Sequence, residues 1–433
     1  METAARALRA SVPPPRAGIV TNMAWLAAGS VAVKPLWFLF TTVICIRALG
    51  PSGYGAFVAA VALAMIVAGF SDWGLNDYTV REIARAKDQT SLFSTLLTLR
   101  IGLAAAAIVV TLALGWWIGQ RGPTMAILAT AALYTGGVRL LEFVRTYYRA
   151  FEVLRYESVS VLTERLIAIA SGTFALGIAA TPASLLLGLS VGTGAALLGN
   201  VAWVHLRLAP LAAAHIRLRP IVTALRGSFP LGVYGALSIL FLNIGTVLLE
   251  RMAGTDAAGQ YGAAYRFVEV SMLLPSVVVA AVYPRLVALH TERSGVFWTV
   301  LWRWTALAGV AASGVATVTY WAGPTLLQFL TDDPAFARSG DVVAVVTWQI
   351  PLMTVGAVWG AGLMALGSAR ALAVTLLFVV PTTVALNILL VPALGAVGSA
   401  TALVVGQGLA SVLFLACLLA VRRNKPVPLV EPS

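Results

Sequence analysis

Lys34 lies in the middle of an apolar run that extends from about residue 19 past Cys45, is followed by Pro35, and has no acidic residue within four positions. An ionisable group at mid-bilayer costs about 2.5–3.5 kcal/mol on insertion scales, so it needs either a partner or a function. Snorkelling from mid-run is difficult, and the proline removes a backbone donor and favours a kink that leaves carbonyls free beside the charge. Both features fit a cation in a hydrated cavity opposite an anionic group; the competing reading is an ion pair with another helix. Arg139 and Glu142, like Arg266 and Glu269, are spaced i to i+3, which places opposite charges on one helix face. Arg139 with Glu142 reads first as a neutralised structural pair. Arg266, one turn into its run, reads equally as a cavity cation for an anionic group.

Glu164 and Arg165 are adjacent and so point about 100° apart, which requires at least one of them to pair with another helix. Glu250 precedes Arg251 in the same way. A coupling cation at Glu250 is the less favoured reading, because a Na⁺ site needs several oxygen ligands that the sequence does not place. Asp72 and Asp77 flank Gly74-Leu75-Asn76 and read as a capped turn. Cys45 and Cys417 fall in apolar runs, and His205, His215 and His290 lie far apart without ligand spacing, so neither a disulfide framework nor a metal site is expected. No cofactor is implied.

The elements that must position these charges follow from composition. Of 433 residues 60% are hydrophobic and 11% charged, with a mean hydropathy of +0.90, against about 25% charged in soluble domains. The bilayer is therefore the solvent, and repeated apolar runs of roughly 20 residues imply a bundle of helices that bond their own backbones. The net charge of +12 would point to nucleic acid in a soluble chain. Here most arginines sit in short segments between apolar runs, which reads as membrane topology.

Spans are expected at 19–46, 53–71, 95–118, 124–144, 156–180, 183–205, 228–250, 262–284, 297–322, 342–366, 371–392 and 396–421. With the N-terminus inside, 21 cations fall on the inner side and 4 on the outer side, among them Arg47 and Arg251. That bias predicts two cytoplasmic termini and an even number of spans. The arginines ahead of the first run resemble the start of a signal peptide, but the run is long enough to span. The expected organisation is an all-α integral membrane protein of about twelve helices: a cytoplasmic tail (1–18), a six-helix bundle (19–206), a cytoplasmic linker (207–227), a second six-helix bundle (228–421) and a cytoplasmic tail (422–433).

An internal repeat supports this halving. Arg47-Ala48-Leu49-Gly50, a short turn and Tyr54-Gly55 are answered by Arg251-Met252-Ala253-Gly254, a turn and Tyr261-Gly262. Six spans separate them, so the repeats are parallel and pseudo-symmetric, and a central cavity between the bundles is expected.

The segment from Arg47 to Arg85, with Leu49-Gly50, Tyr54-Gly55, Asp72, Gly74-Leu75 and Arg81-Glu82-Ile83-Ala84-Arg85, resembles the amino-terminal signature of bacterial polysaccharide flippases. Gly259 to Leu286, with Arg266, Glu269 and Pro284-Arg285-Leu286, is similar to that family's spans seven to eight, and Asn387 to Ala400 to its eleventh-to-twelfth hairpin. The family belongs to the multidrug, oligosaccharidyl-lipid and polysaccharide exporter superfamily. The resemblance implies a transporter of the bacterial inner membrane. It would move an undecaprenyl-pyrophosphate-linked oligosaccharide to the outer leaflet by alternating access, alongside other polysaccharide assembly proteins. Lys34, Arg266, Arg47, Arg251 and Arg139 would then be cavity cations for the pyrophosphate, with Glu142, Glu164, Glu250 and Glu269 as pairing or coupling acids. Arg47 and Arg251 serve equally as interfacial anchors.

Two alternatives stay open at this level. A cation-coupled drug antiporter of the same superfamily would need cavity acids, whereas the first six spans offer Glu142 and Glu164 against Lys34, Arg139 and Arg165. A glycan-polymerising enzyme would place catalytic residues on an extended loop, and the longest loops are near 20 residues.

Overall fold

The computed structural model describes residues 33–85, 89–208, 218–292 and 294–424. The tail 1–18, the start of span one, Lys87, the linker residues 209–217 with His215, Arg293 and the tail beyond 424 lie outside the described residues.

Nine continuous helical stretches among the described residues are long and apolar enough to cross a bilayer. Three of them, Val33–Phe70, Gly232–Leu289 and Arg370–Arg423, run to 38, 58 and 54 residues. At about 1.5 Å per residue each far exceeds roughly 30 Å of hydrocarbon. Each contains one glycine at a helix-breaking dihedral: Gly50 (φ 64, ψ −178), Gly254 (φ 89, ψ 172) and Gly395 (φ 55, ψ −129). Two helices meet across a kink at each, so the nine stretches comprise the twelve segments expected. Gly50 and Gly254, the matched positions of the sequence repeat, share one backbone conformation that is almost exclusive to glycine.

The chain divides into two compact units: one takes the described residues up to Phe40 and Ala60–Ala236, the other Thr41–Ala59 and everything from Leu237 onward. The change of unit in span one falls inside Phe40–Cys45, which winds as a wider π-helical turn. Pro35, just upstream, lacks an N–H and cannot bond back along the helix.

Unit one packs around Leu75, Ile83, Phe93, Leu96, Phe143, Tyr147 and Tyr148, with the Phe93 and Phe143 rings stacked at 5.7 Å. The short helix Leu75–Arg85 joins this core because Leu75 and Ile83 point inward while Asp77 and Arg81 stay exposed. Span six begins at Pro182 behind a reciprocal cap, in which Ser184 N donates to Thr181 Oγ1 (3.2 Å) and Thr181 N to Ser184 Oγ (3.3 Å). Spans five and six approach closely at Gly188 and Gly192, where a Cβ would meet Ser171 and Ala168.

In unit two the repeat turns pack on one another. A Cβ on Gly55 would collide with the Thr255 carbonyl, and one on Gly259 with the Pro51 carbonyl. Ser52 Oγ and Thr255 Oγ1 share a 2.9 Å hydrogen bond across this contact. Gly55 of the first tyrosine-glycine pair and Gly259 just before the second therefore serve close approach, while Gly50 and Gly254 make the turns.

Candidate functional site: the intramembrane charges

In unit one, span four (Pro123–Ala150) continues past the expected end at 144, and Arg145 and Arg149 in its last turns both find partners on the next helix. Arg145, one residue past the expected end of span four, is buried. Its Nη2 lies 2.9 Å from Glu164 Oε2, and its Nε donates to Ser160 Oγ at 2.9 Å. Ser160 and Glu164 are four residues apart on span five (Leu154–Ile178), so they present one face to Arg145. This is the cross-helix partner that the adjacency of Glu164 and Arg165 requires. Arg149 closes a second such pair, with Glu157 at 2.6 Å.

Arg139 pairs with Glu142 at 2.9 Å, as the i to i+3 spacing predicts. It also lines a small cavity with Ser71, Thr111, Thr135 and Arg100. Arg100 is 1% exposed and lies 2.9 Å from Asp72. The Asp72 side chain is thus engaged with span three (Gln89–Trp117). Burial pushes the Asp72 carboxyl above the usual carboxylate range, while Arg100 pulls it down.

Arg165 goes elsewhere. Its guanidinium carbon lies 4.5 Å from the centroid of Trp37, and its Nη1 donates to the Tyr134 hydroxyl at 3.4 Å. Trp37 follows Lys34 by three residues, so the two share a stripe of span one. Lys34 itself is half-buried and engaged in a polar or electrostatic contact. Trp37 carried no signal in the sequence beyond that spacing.

In unit two, Arg266 bridges the repeat to span eight. Its Nη1 lies 2.6 Å from Glu269 Oε2, and its Nε donates to the Tyr54 hydroxyl at 2.7 Å, with the Tyr54 side chain fully buried. Arg47 is exposed, and its Nε donates to the Leu330 carbonyl at 2.9 Å. It thereby satisfies the open end of the helix Ser294–Thr331, where carbonyls lack intrahelical partners and the helix dipole favours a cation. Arg251 is exposed and in contact with a polar or charged group, and Glu250 is half-buried beside it. Lys34, Arg139, Glu142, Glu164 and Arg165 therefore fall in unit one, and Arg47, Glu250, Arg251, Arg266 and Glu269 in unit two. Among the described residues no three His, Cys, Asp or Glu side chains converge as a metal site would require.

Twelve helical segments in two units, carrying paired charges within the membrane, define a multi-pass membrane protein, and its fold is that of the superfamily of multidrug, oligosaccharidyl-lipid and polysaccharide transporters. The chain matches the lipid II flippase MurJ in an inward closed conformation with a TM-score of 0.72 at 11% identity, over 91% of this chain and 87% of that one. It matches an outward-facing multidrug resistance MATE family transporter at 0.67 and 16% identity, over 94% and 97%. A superfamily transporter from Pyrococcus furiosus, described as having a binding pocket of reverse polarity, matches at 0.65 and 15%, over 93% and 95%. No curated protein matches the sequence. The family model of polysaccharide biosynthesis proteins matches residues 19–290, and the chain belongs to that family.

Proposed function

We propose that this protein is a flippase that carries an undecaprenyl-pyrophosphate-linked oligosaccharide from the cytoplasmic to the outer leaflet of a bacterial inner membrane, for polysaccharide assembly. The carrying observation is the balance of charge in unit one. Asp72, Glu142, Glu157 and Glu164 each lie within 2.6–2.9 Å of a different arginine. Among the described residues the spans of this unit hold no further acid, while Lys34 and Arg165 add positive charge to them, and that count suits an anionic cargo. Family membership supports the polysaccharide context, and the flippase among the fold neighbours supports a lipid-linked substrate. The proposed cycle is alternating access between the halves 19–206 and 228–421, with both termini cytoplasmic and no bond made or broken. An antiporter would need acids free to exchange a cation; Glu142, Glu164 and Glu269 are each held by an arginine instead.

The test is deletion of the gene in its host, followed by measurement of lipid-linked oligosaccharide on the cytoplasmic face. Accumulation that wild type relieves and Lys34→Ala does not supports the reading and places the lysine on the path. Absence of accumulation, with a gain of drug sensitivity, would replace it with the antiporter.

A further inference from the structure

Arg165 is placed in mid-helix on span five without a carboxylate of its own. Its nearest acidic oxygen, Glu164 Oε1, is 3.8 Å away, and Glu164 is already bound at 2.9 Å by Arg145. One carboxylate thus serves two guanidinium groups, and a charge that is costly in a span remains incompletely compensated. The two arginines also differ in access. The Arg145 and Glu164 side chains are 6% and 1% exposed, whereas Arg165 is 24% exposed. What holds Arg165 is aromatic: the Trp37 face and the Tyr134 hydroxyl. A guanidinium stacked on an indole keeps its N–H fork in one plane, so little ordering cost remains when an oxyanion arrives. Spans one, four and five thus bring an indole, a phenol and a guanidinium together, and Lys34 stands three residues before that indole, one helical turn away along span one.

We propose that Arg165, oriented by Trp37 and Tyr134, is a second headgroup contact, and that with Lys34 it selects prenyl diphosphates over prenyl monophosphates. The inference rests on the lipid-linked reading above and adds a residue and a selectivity to it. A guanidinium takes one phosphoryl group through two parallel N–H bonds, and a lysine takes another as a point charge. A diphosphate offers two adjacent phosphoryl groups and can satisfy both cations together. A monophosphate has a single phosphoryl group to share between them. The site would therefore admit the carrier lipid while its diphosphate linkage is intact and hold it poorly once a diphosphate-cleaving reaction has left the monophosphate.

The experiment titrates the purified full chain, in nanodiscs of zwitterionic lipid, with undecaprenyl diphosphate and undecaprenyl phosphate. Wild type is expected to prefer the diphosphate by about tenfold, the scale of one charge-assisted bidentate contact. Arg165→Gln should bring that ratio near unity while changing monophosphate affinity by less than about twofold, and Arg165→Lys should keep part of the preference. If Arg165→Gln does not fold, Trp37→Leu and Tyr134→Phe carry the test, each lowering the ratio by about threefold. An undiminished ratio in folded variants, or equal binding of both lipids by wild type, overturns the inference alone. Failure of wild type to bind either lipid overturns the flippase reading with it.

Discussion

The two units use arginine for different ends. In unit one, Arg100, Arg139, Arg145 and Arg149 each pair with a different carboxylate inside or beside the spans. In unit two, Arg47 sits on the open carbonyl at Leu330 with no carboxylate in that contact, and Arg266, though paired with Glu269 at 2.6 Å, also ties down the chain path through the Tyr54 hydroxyl behind the repeat turn. The difference teaches that cation count alone is a poor guide to a binding site. What matters is whether the guanidinium already has its countercharge, and a backbone carbonyl or phenol supplies only part of one.

The sharpest way to break this contrast is Arg145→Ala. Removing it leaves Glu164, 1% exposed, with only the more distant Arg165 at 3.8 Å, and should cost about 3–5 kcal/mol. Thermal unfolding of the purified protein should show a large loss, and the double replacement Arg145→Met with Glu164→Leu should recover most of it. A single variant as stable as wild type would mean the pair is dispensable and the charge ledger of unit one is wrong. Next in size are Gly50→Ala and Gly254→Ala. Each places a Cβ in a backbone region almost closed to other residues, for about 1–3 kcal/mol, although neither glycine has a neighbour within 4 Å of that Cβ. Equal losses in melting temperature would show the two turns to be matched in energy as well as in sequence. Smallest is Arg47→Ala, whose exposed contact with the helix end should contribute under about 1 kcal/mol. It should leave the proposed lipid export intact in the deletion host. Loss of export with normal stability would return Arg47 to the substrate path.

Much of this was legible in the sequence. Twelve segments follow from apolar run length, and the glycines that divide the long stretches stand in the repeat or, for Gly395, in the hairpin that resembles the family. The pairs Arg139–Glu142 and Arg266–Glu269 follow from helical spacing alone. Cross-helix partners did not follow, because nothing local relates Arg145 to Glu164 or Arg100 to Asp72. The reach of Arg165 to Trp37 depends on which faces of three helices meet, and the tie between Tyr54 and Arg266 joins residues 212 apart in the chain. Sequence located the charges and left their partners open.

The membership of Thr41–Ala59 in unit two has a consequence for how the protein is made. A ribosome delivers this hairpin early, yet the chain against which it packs, around Thr255, Gly259 and Arg266, is synthesised about 200 residues later. During that interval its close-approach glycines have nothing to approach. The amino-terminal half expressed alone would therefore carry an orphaned hairpin, and splitting the gene between the halves would yield two fragments that need each other to finish folding.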